Sequence, residues 1–124
     1  MNIMSDPFAG RLGIRFREVR PGYALVEMPV AAHLCNPQGA VHRAAVFTAA
    51  DVAFSAASNA GGTAAVALSV TINYLNFPAV GSVLTAEAVE ESTDPKMRLY
   101  RVKVVDEKNE PVALFEGLVY RREE

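Results

Sequence analysis

Between Asn36 and Asn59 the chain reads NPQGAVHRAAVFTAADVAFSAASN, a turn-rich loop followed by a stretch crowded with alanine. From about His42 to Asn59 this stretch reads as one helix, roughly 25 Å long at 1.5 Å per residue, enough to cross a small domain. No other segment is a convincing long helix, so the rest of the chain has to pack around this one. At 100° per residue, Ala44, Phe47, Thr48, Phe54, Ser55 and Ser58 fall within about 60° of Asp51. The opposite side holds Ala45, Val46, Ala49, Ala53, Ala56, Ala57 and Ala60. A face of small apolar residues lets a helix sit very close to a sheet. The Asp51 face, with its hydroxyls and both phenylalanines, lacks the Lys and Glu of a solvated side. The expectation is that a partner or ligand covers it and encloses Asp51.

The flanking segments read as strands. Residues 1–12 suggest a short helical or irregular lead-in starting at Asp6–Pro7. Gly13 to Val19 reads as a strand with Ile14, Phe16 and Glu18 on one side. Pro21–Gly22 turns the chain into Tyr23–Val30, where Ala24, Val26, Met28 and Val30 alternate with Tyr23, Leu25 and Glu27. After the helix, Asn59-Ala-Gly-Gly is a stop, because Asn and Gly accept the left-handed cap conformation. A long strand from Thr63 to about Leu75 separates bulky Val66, Leu68, Val70, Ile72 and Tyr74 from small or polar Ala65, Ala67, Ser69, Thr71 and Asn73. Ser82–Glu91, Arg98–Asp106 and Val112–Tyr120 complete the pattern, with a loop at 92–97 and a hairpin turn at 107–111. The order β-β-α-β-β-β-β with short connections predicts an α+β domain, one helix on an antiparallel sheet of about six strands.

The 124 residues make one domain, 1–124, with a real core. A net charge of −2 without a basic stripe argues against a nucleic-acid partner. No run is long enough for a membrane span and no signal segment opens the chain. The single cysteine, Cys35, excludes an internal disulfide and points to a reducing, cytoplasmic setting. His33 and His42 have no metal-ligand spacing, and no phosphate-binding glycine loop is present, so neither a metal nor a cofactor is expected.

Three polar residues stand out. Asp51, mid-helix on an apolar background, is either a structural carboxylate held by Thr48, Ser55 or a partner chain, or a working one. His42 stands at the helix start, where the backbone N–H groups of Arg43 and Ala44 lack intrahelical acceptors and can hold an anion or polarise a carbonyl. Asn36, before a proline, is a turn residue or a water-orienting one. Cys35 with His33 or His42 as base is disfavoured, because no oriented pair is visible.

These residues together resemble the hotdog-fold acyl-CoA thioesterases, in particular their PaaI-like, phenylacetic acid degradation branch. The resemblance covers nearly the whole chain. The family's loop asparagine, H-G-G helix start, L-A-D-x-A-F-like segment and T-I-x-Y/F-L strand end appear as Asn36, His42-Arg43-Ala44, Ala49–Phe54 and Thr71–Leu75. It implies a hotdog fold, in which the sheet wraps the helix. It also implies a homodimer with shared active sites, or a dimer of dimers, that hydrolyses an acyl-CoA with an aromatic or medium-chain acyl group. Asp51 is then the general base or nucleophile across the subunit boundary, the Arg43 N–H polarises the carbonyl, Asn36 positions water and His42 supports the loop. Gly39, Ala44, Phe47, Phe54, Ser69, Thr71 and Asn73 are the expected substrate-binding set, and CoA enters only as part of the substrate. Two departures stand out: H-G-G has become His42-Arg43-Ala44, and the family's L-R-P is Leu75-Asn76-Phe77-Pro78. Backbone donation survives the first change, because every non-proline residue carries an N–H. The second removes an arginine that could meet CoA phosphates. The competing readings are a non-catalytic hotdog protein that binds an acyl thioester or other small ligand, and a purely structural dimer module.

Overall fold

A computed structural model of the chain describes residues 4–62, 64–91 and 94–121. Thr63, where the long strand was expected to start, the first three residues of the lead-in, part of the 92–97 loop and the last three residues lie outside them. A short helix α1 (Pro7–Arg11) is capped by Asp6, whose side chain accepts from Phe8 N and Ala9 N at 3.0 and 3.1 Å. Strands β1 (Arg15–Arg20) and β2 (Tyr23–Pro29) follow, then a 3-10 turn at Ala32–Leu34 that the sequence pattern did not anticipate. The long helix α2 (Arg43–Asn59) leads to β3 (Ala65–Tyr74), β4 (Val83–Glu90), β5 (Met97–Val105) and β6 (Pro111–Arg121). All six strands form one antiparallel sheet in the order β1-β2-β4-β5-β6-β3. The helix packs on one face of it, the expected α+β arrangement. Among the described residues no helix is long and apolar enough to cross a membrane.

The alanine face does what its composition predicts. Ala45, Val46, Ala49, Ala53, Ala56 and Ala57 are buried, and α2 lies chiefly over β2, β4 and β5. There the sheet offers Ala24, Ala86 and Ala88 among Val26, Met28 and Leu84, so two shallow surfaces meet with few side chains between them. Asn59 closes the helix: its Nδ2 donates to Ser55 O at 2.9 Å and its Oδ1 accepts from Ala65 N at 3.1 Å. One side chain thus ends α2 and fixes the start of β3.

Phe54 departs from expectation. It does not share an open face with Asp51 but is 2% exposed in the core, 5.4 Å from the Phe115 ring and 5.7 Å from the Tyr100 ring. A ring at the margin of the Asp51 face is long enough to turn down onto the sheet, and Gly117 on β6 leaves it room. Phe47, one helical heptad earlier, leans the same way to within 5.8 Å of Phe115. Ser58 is buried too.

Bulges overturn two alternation patterns. In β3 the register skips Leu68: Ala67 pairs with Val119, but Ser69 pairs with Leu118. One extra residue flips the side-chain alternation. Ser69, Thr71 and Asn73 therefore lie opposite Leu118, Glu116 and Leu114 on the outer face, while Val70 and Ile72 join Gly117 and Phe115 on the inner one. In β1 the register skips Arg17, so Phe16 and Val19, not Phe16 and Glu18, pack toward the core.

The two sheet edges differ in kind. Edge strand β1 carries Arg15, Arg17, Glu18 and Arg20, with ion pairs Arg17–Glu27 at 2.8 Å and Arg20–Glu18 at 2.9 Å. Edge strand β3 carries no charge over ten residues, and Val66, Leu68 and Val70 are 46%, 52% and 37% exposed. Charge blunts the first edge against further strand pairing; nothing comparable protects the second.

A Cβ added at Gly117 would sit 2.5 Å from Phe54 Cζ. Gly117→Ala is therefore expected to destabilise the protein by about 2 kcal/mol through overpacking. Gly10→Ala, with nothing within 4 Å, serves as the control and is expected to be neutral or slightly stabilising in the same urea titrations.

Candidate active site

The loop before α2 is held on both sides. His42 N donates to Leu34 O at 2.7 Å, Val41 N donates to Pro78 O at 2.8 Å, and isolated bridges join Cys35 to Val41 and Ala40 to Ala79. Within it Asn36 builds its own turn. Its backbone N–H donates to Ala40 O at 2.8 Å, and its Oδ1 accepts from Gln38 N at 3.0 Å and Ala40 N at 3.2 Å. Gly39, at φ 84°, supplies the left-handed residue that this turn needs. With Oδ1 occupied by two donors, the amide orientation is set, and Nδ2 is the end of Asn36 left for a ligand.

His42 is the N-cap of α2. Its Nδ1 accepts from Ala44 N at 3.0 Å, so the cap requires the neutral tautomer with its proton on Nε2. Ala45 N and Val46 N both donate to His42 O. Of the first N–H groups of α2, that of Arg43 is left without an acceptor among the described residues. The free donor sits where the helix dipole is positive. A cleft of about 300 Å³ opens there, lined by Asn36, His42, Arg43 and Phe77.

Asp51 lies elsewhere on the same helix. Nine residues from His42 correspond to roughly 13.5 Å along the axis and about half a turn around it. No hydrogen bond or ion pair to its carboxylate is found among the described residues. Burial pushes its pKa above the usual carboxylate value, and the Asp6 charge at the cap of α1 adds to the shift. One chain thus holds a polar cleft with donors and, on another face, a half-buried carboxylate without a counter-charge.

The other expected site residues divide. Ala44 is exposed beside the cleft with its N–H bound by His42, and Gly39 shapes the Asn36 turn. Phe47 is half-buried against Phe115, and Phe54 belongs to the core. Ser69, Thr71 and Asn73 stand on the outer face, with the sheet between them and the loop. Thr71 and Asn73 line a depression there with Arg101 and Glu116. Phe77 was not anticipated. It stacks on Tyr74 at 5.9 Å and reaches the cleft only because Ala79 pairs with Ala40 across the fold. Among the described residues no three His, Cys, Asp or Glu side chains gather as metal ligands would.

Fold and loop geometry define a hotdog-type domain with a helix-start donor site. A domain-family model described as a domain of unknown function, DUF4442, matches residues 1–117. The chain is 35% identical over 117 residues to the acyl-coenzyme A thioesterase PaaI of Escherichia coli, covering 94% of this chain and 84% of that one. The structure of the E. coli PaaI protein from the phenylacetic acid degradation operon superposes with a TM-score of 0.91 at 34% identity, over 96% of this chain and 86% of the other. A mutant structure of the phenylacetic acid degradation protein PaaI from Thermus thermophilus superposes at 0.89 and 38% identity, over 94% of this chain and 100% of that one. The chain belongs to the PaaI-like thioesterases of the hotdog fold.

The environment of Asp51 has a pH signature. The unfolded carboxyl gives up its proton at lower pH than the folded one, so the folded state binds more protons between the two values. Stability therefore falls as pH rises through that window and stays lower above it. Asp51→Asn is expected to raise stability at pH 7, with the advantage fading as pH drops below the ordinary carboxylate range. Denaturant midpoints of both proteins from pH 3 to 8 check this.

Proposed function

We propose that this protein hydrolyses acyl-CoA thioesters to free acid and CoA, as a homodimer whose active sites are each built from two subunits. The observation that carries this reading is the placement of the groups. Asp51 is half-buried and has no partner among the described residues, yet it lies roughly 12 Å along the axis and about a quarter turn from the Arg43 donor it would work with. A second copy brings its Asp51 to this loop if the uncharged β3 edges of two subunits pair. Membership of a family that includes an acyl-coenzyme A thioesterase supplies the substrate class.

In this reading the thioester carbonyl oxygen accepts from the Arg43 N–H. Water attacks the carbonyl carbon while the Asp51 carboxylate of the other subunit takes its proton. Burial makes that carboxylate a stronger base than a solvated one. Asn36 Nδ2 donates to one lone pair of the water, leaving the second for attack. The oxyanion gains charge against the Arg43 N–H and the helix dipole, then collapses and expels CoA thiolate, which takes up a proton. The Arg43 guanidinium, the charged side chain of the cleft, faces the anionic CoA. Attack by the Asp51 carboxylate itself, through a mixed anhydride that water opens at the aspartyl carbonyl, is told apart by a single turnover in ¹⁸O-water: that route leaves the label in Asp51 and unlabelled oxygen in the acid, and the general-base route labels the acid alone.

The backbone donor can be deleted cleanly. Arg43 is the first helical residue, where proline is tolerated, and His42 before it is already extended at φ −71° and ψ 137°. Arg43→Pro is expected to fold normally and lose on the order of 10²–10³ in kcat, the usual cost of an oxyanion donor. Arg43→Ala keeps the N–H and is expected to keep kcat, with any change confined to KM. Equal kcat in both variants would remove the donor from the mechanism.

The shared site is tested by complementation. Asp51→Ala and Asn36→Ala are each expected to be nearly inactive on a panel of acyl-CoAs. Co-refolded in equal amounts, they are expected to regain about a quarter of wild-type activity, since half the dimers are mixed and each has one intact site. No recovery, or a monomer by sedimentation, would overturn the two-subunit arrangement.

A further inference from the structure

The buried side-chain polar atoms left without a hydrogen-bond partner among the described residues are Arg98 Nε, Tyr100 Oη and Arg121 Nε. All of them sit in one place. Tyr100 lies opposite Glu90 on β4 and Gly117 on β6, and Arg98 lies opposite buried Val119. Arg98 is two residues before Tyr100 and Arg121 two after Val119, so both share the inner face of the sheet with the tyrosine. The last turn of α2 frames the cluster on two sides. Ala57 O accepts from Gly22 N, beside Glu90, and Asn59 Oδ1 accepts from Ala65 N, opposite Arg121. This is the far end of the helix from the cleft at His42. We infer that the cluster is a binding site for a small oxyanion, a phosphate or carboxylate group held by the two guanidiniums and the Tyr100 hydroxyl. The inference stands apart from the thioesterase reading.

The orphaned groups all lack the same thing, an acceptor. Burial first, then the Glu90 charge, holds the Tyr100 pKa above its ordinary value against the pull of Arg121 and Arg98, so the hydroxyl keeps its proton. Arg121 lies beside that hydroxyl. A bond from Arg121 to its oxygen would still leave the phenol proton and the Arg98 Nε–H unanswered. Folded chains leave few buried donors unpaired, because each has forgone its bonds to water. Accidents of packing would scatter such donors rather than gather them at one point.

The acids at hand are committed. Glu90 Oε2 takes the Arg98 Nη1 donor, and its Oε1 lies over Gly22, where an added Cβ would come 2.8 Å from it. Asp94 Oδ1 accepts from Lys96 N and Met97 N. Arg121 forms no ion pair among the described residues. Between them the two guanidiniums touch a single carboxylate, which leaves one positive charge unmatched by contact. Water, with two lone pairs, cannot answer all the donors of the cluster. A phosphate or carboxylate group has oxygens enough for them, and the guanidinium fork fits its geometry.

The test is urea unfolding of the whole chain in phosphate or in acetate, with chloride at matched ionic strength as the reference. The better oxyanion is expected to lower the wild-type unfolding constant about tenfold by ten times its dissociation constant, which chloride does not reproduce. Arg121→Ala is expected to shift this response to at least about tenfold higher anion concentration. Tyr100→Phe keeps the ring packed on Phe54 and is expected to weaken the response several-fold. In chloride alone the same variant is expected to raise the midpoint, because a buried donor without an acceptor is gone. Arg43→Ala, at the other cationic opening, is expected to leave the response intact. A response to either oxyanion supports the site, and the stronger of the two names its source. A wild-type response no greater than that to chloride, as ordered water alone would give, overturns the site. So does a response that survives Arg121→Ala unchanged, or a Tyr100→Phe that loses stability equally in both media.

Discussion

The seating of α2 on the sheet is the constraint on which the remaining features depend. Alanines on the helix meet Ala24, Ala86 and Ala88 on β2 and β4, so the backbones approach closely and hold the helix to that half of the sheet. Dispersion between well-fitted small groups is weak per contact but leaves no gap, and interiors tolerate gaps poorly. A helix held over β2, β4 and β5 reaches β6 and β3 less fully. The span toward β6 is bridged by the rings of Phe47 and Phe54, and Gly117 is the accommodation that lets Phe54 lie flat enough to do it. On the edge strand beyond, Val66, Leu68 and Val70 are left exposed.

The same seating fixes the helix start and therefore the donor. Ala44 N–H goes to the His42 side chain, and Ala45 and Val46 N–H go to the His42 carbonyl. The Arg43 N–H is left, pointing out of a loop pinned to Leu34 and Pro78. A donor that needs no rearrangement before it receives charge is worth more than one that must first break another bond. Replacing glycine with arginine at this position leaves that backbone group untouched. What changes is the side chain: a cation now stands at the cleft, where anionic substrate would pass.

Much of this was legible in the sequence, because it depends on local period. The 3.6-residue pattern marked the alanine face, singled out Asp51 and put His42 at the helix start. Strand alternation found all six strands. The misreadings share a cause in pairing, which is not local. The bulge at Leu68 turned Ser69, Thr71 and Asn73 to the outer face, and the one at Arg17 brought Val19 to the core; each is decided by the neighbouring strand. Phe54 lay at the margin of its face by angle, and only the space above Gly117 on β6, sixty-three residues later, drew it inward. Phe77 carried no local mark at all and entered the cleft through the Ala40–Ala79 bridge.

Asp51 and the β3 edge pose one problem from two sides. A carboxylate held above its ordinary pKa by burial, with Asp6 as the charge that shifts it further, has no counter-charge among the described residues. A ten-residue strand without a charge, its apolar side chains open to water, is the kind of edge that proteins normally blunt, as this one does at β1. The Leu68 bulge twists the β3 edge but adds neither charge nor proline, so it redirects pairing more than it forbids it. The proposed pairing of two β3 strands would cover the apolar edge and, in the same step, set Asp51 against the donors of a second loop. On that arrangement the exposed apolar edge of the isolated subunit and the incompleteness of its site have a single remedy. Selection for a covered edge would then preserve the catalytic alignment as well.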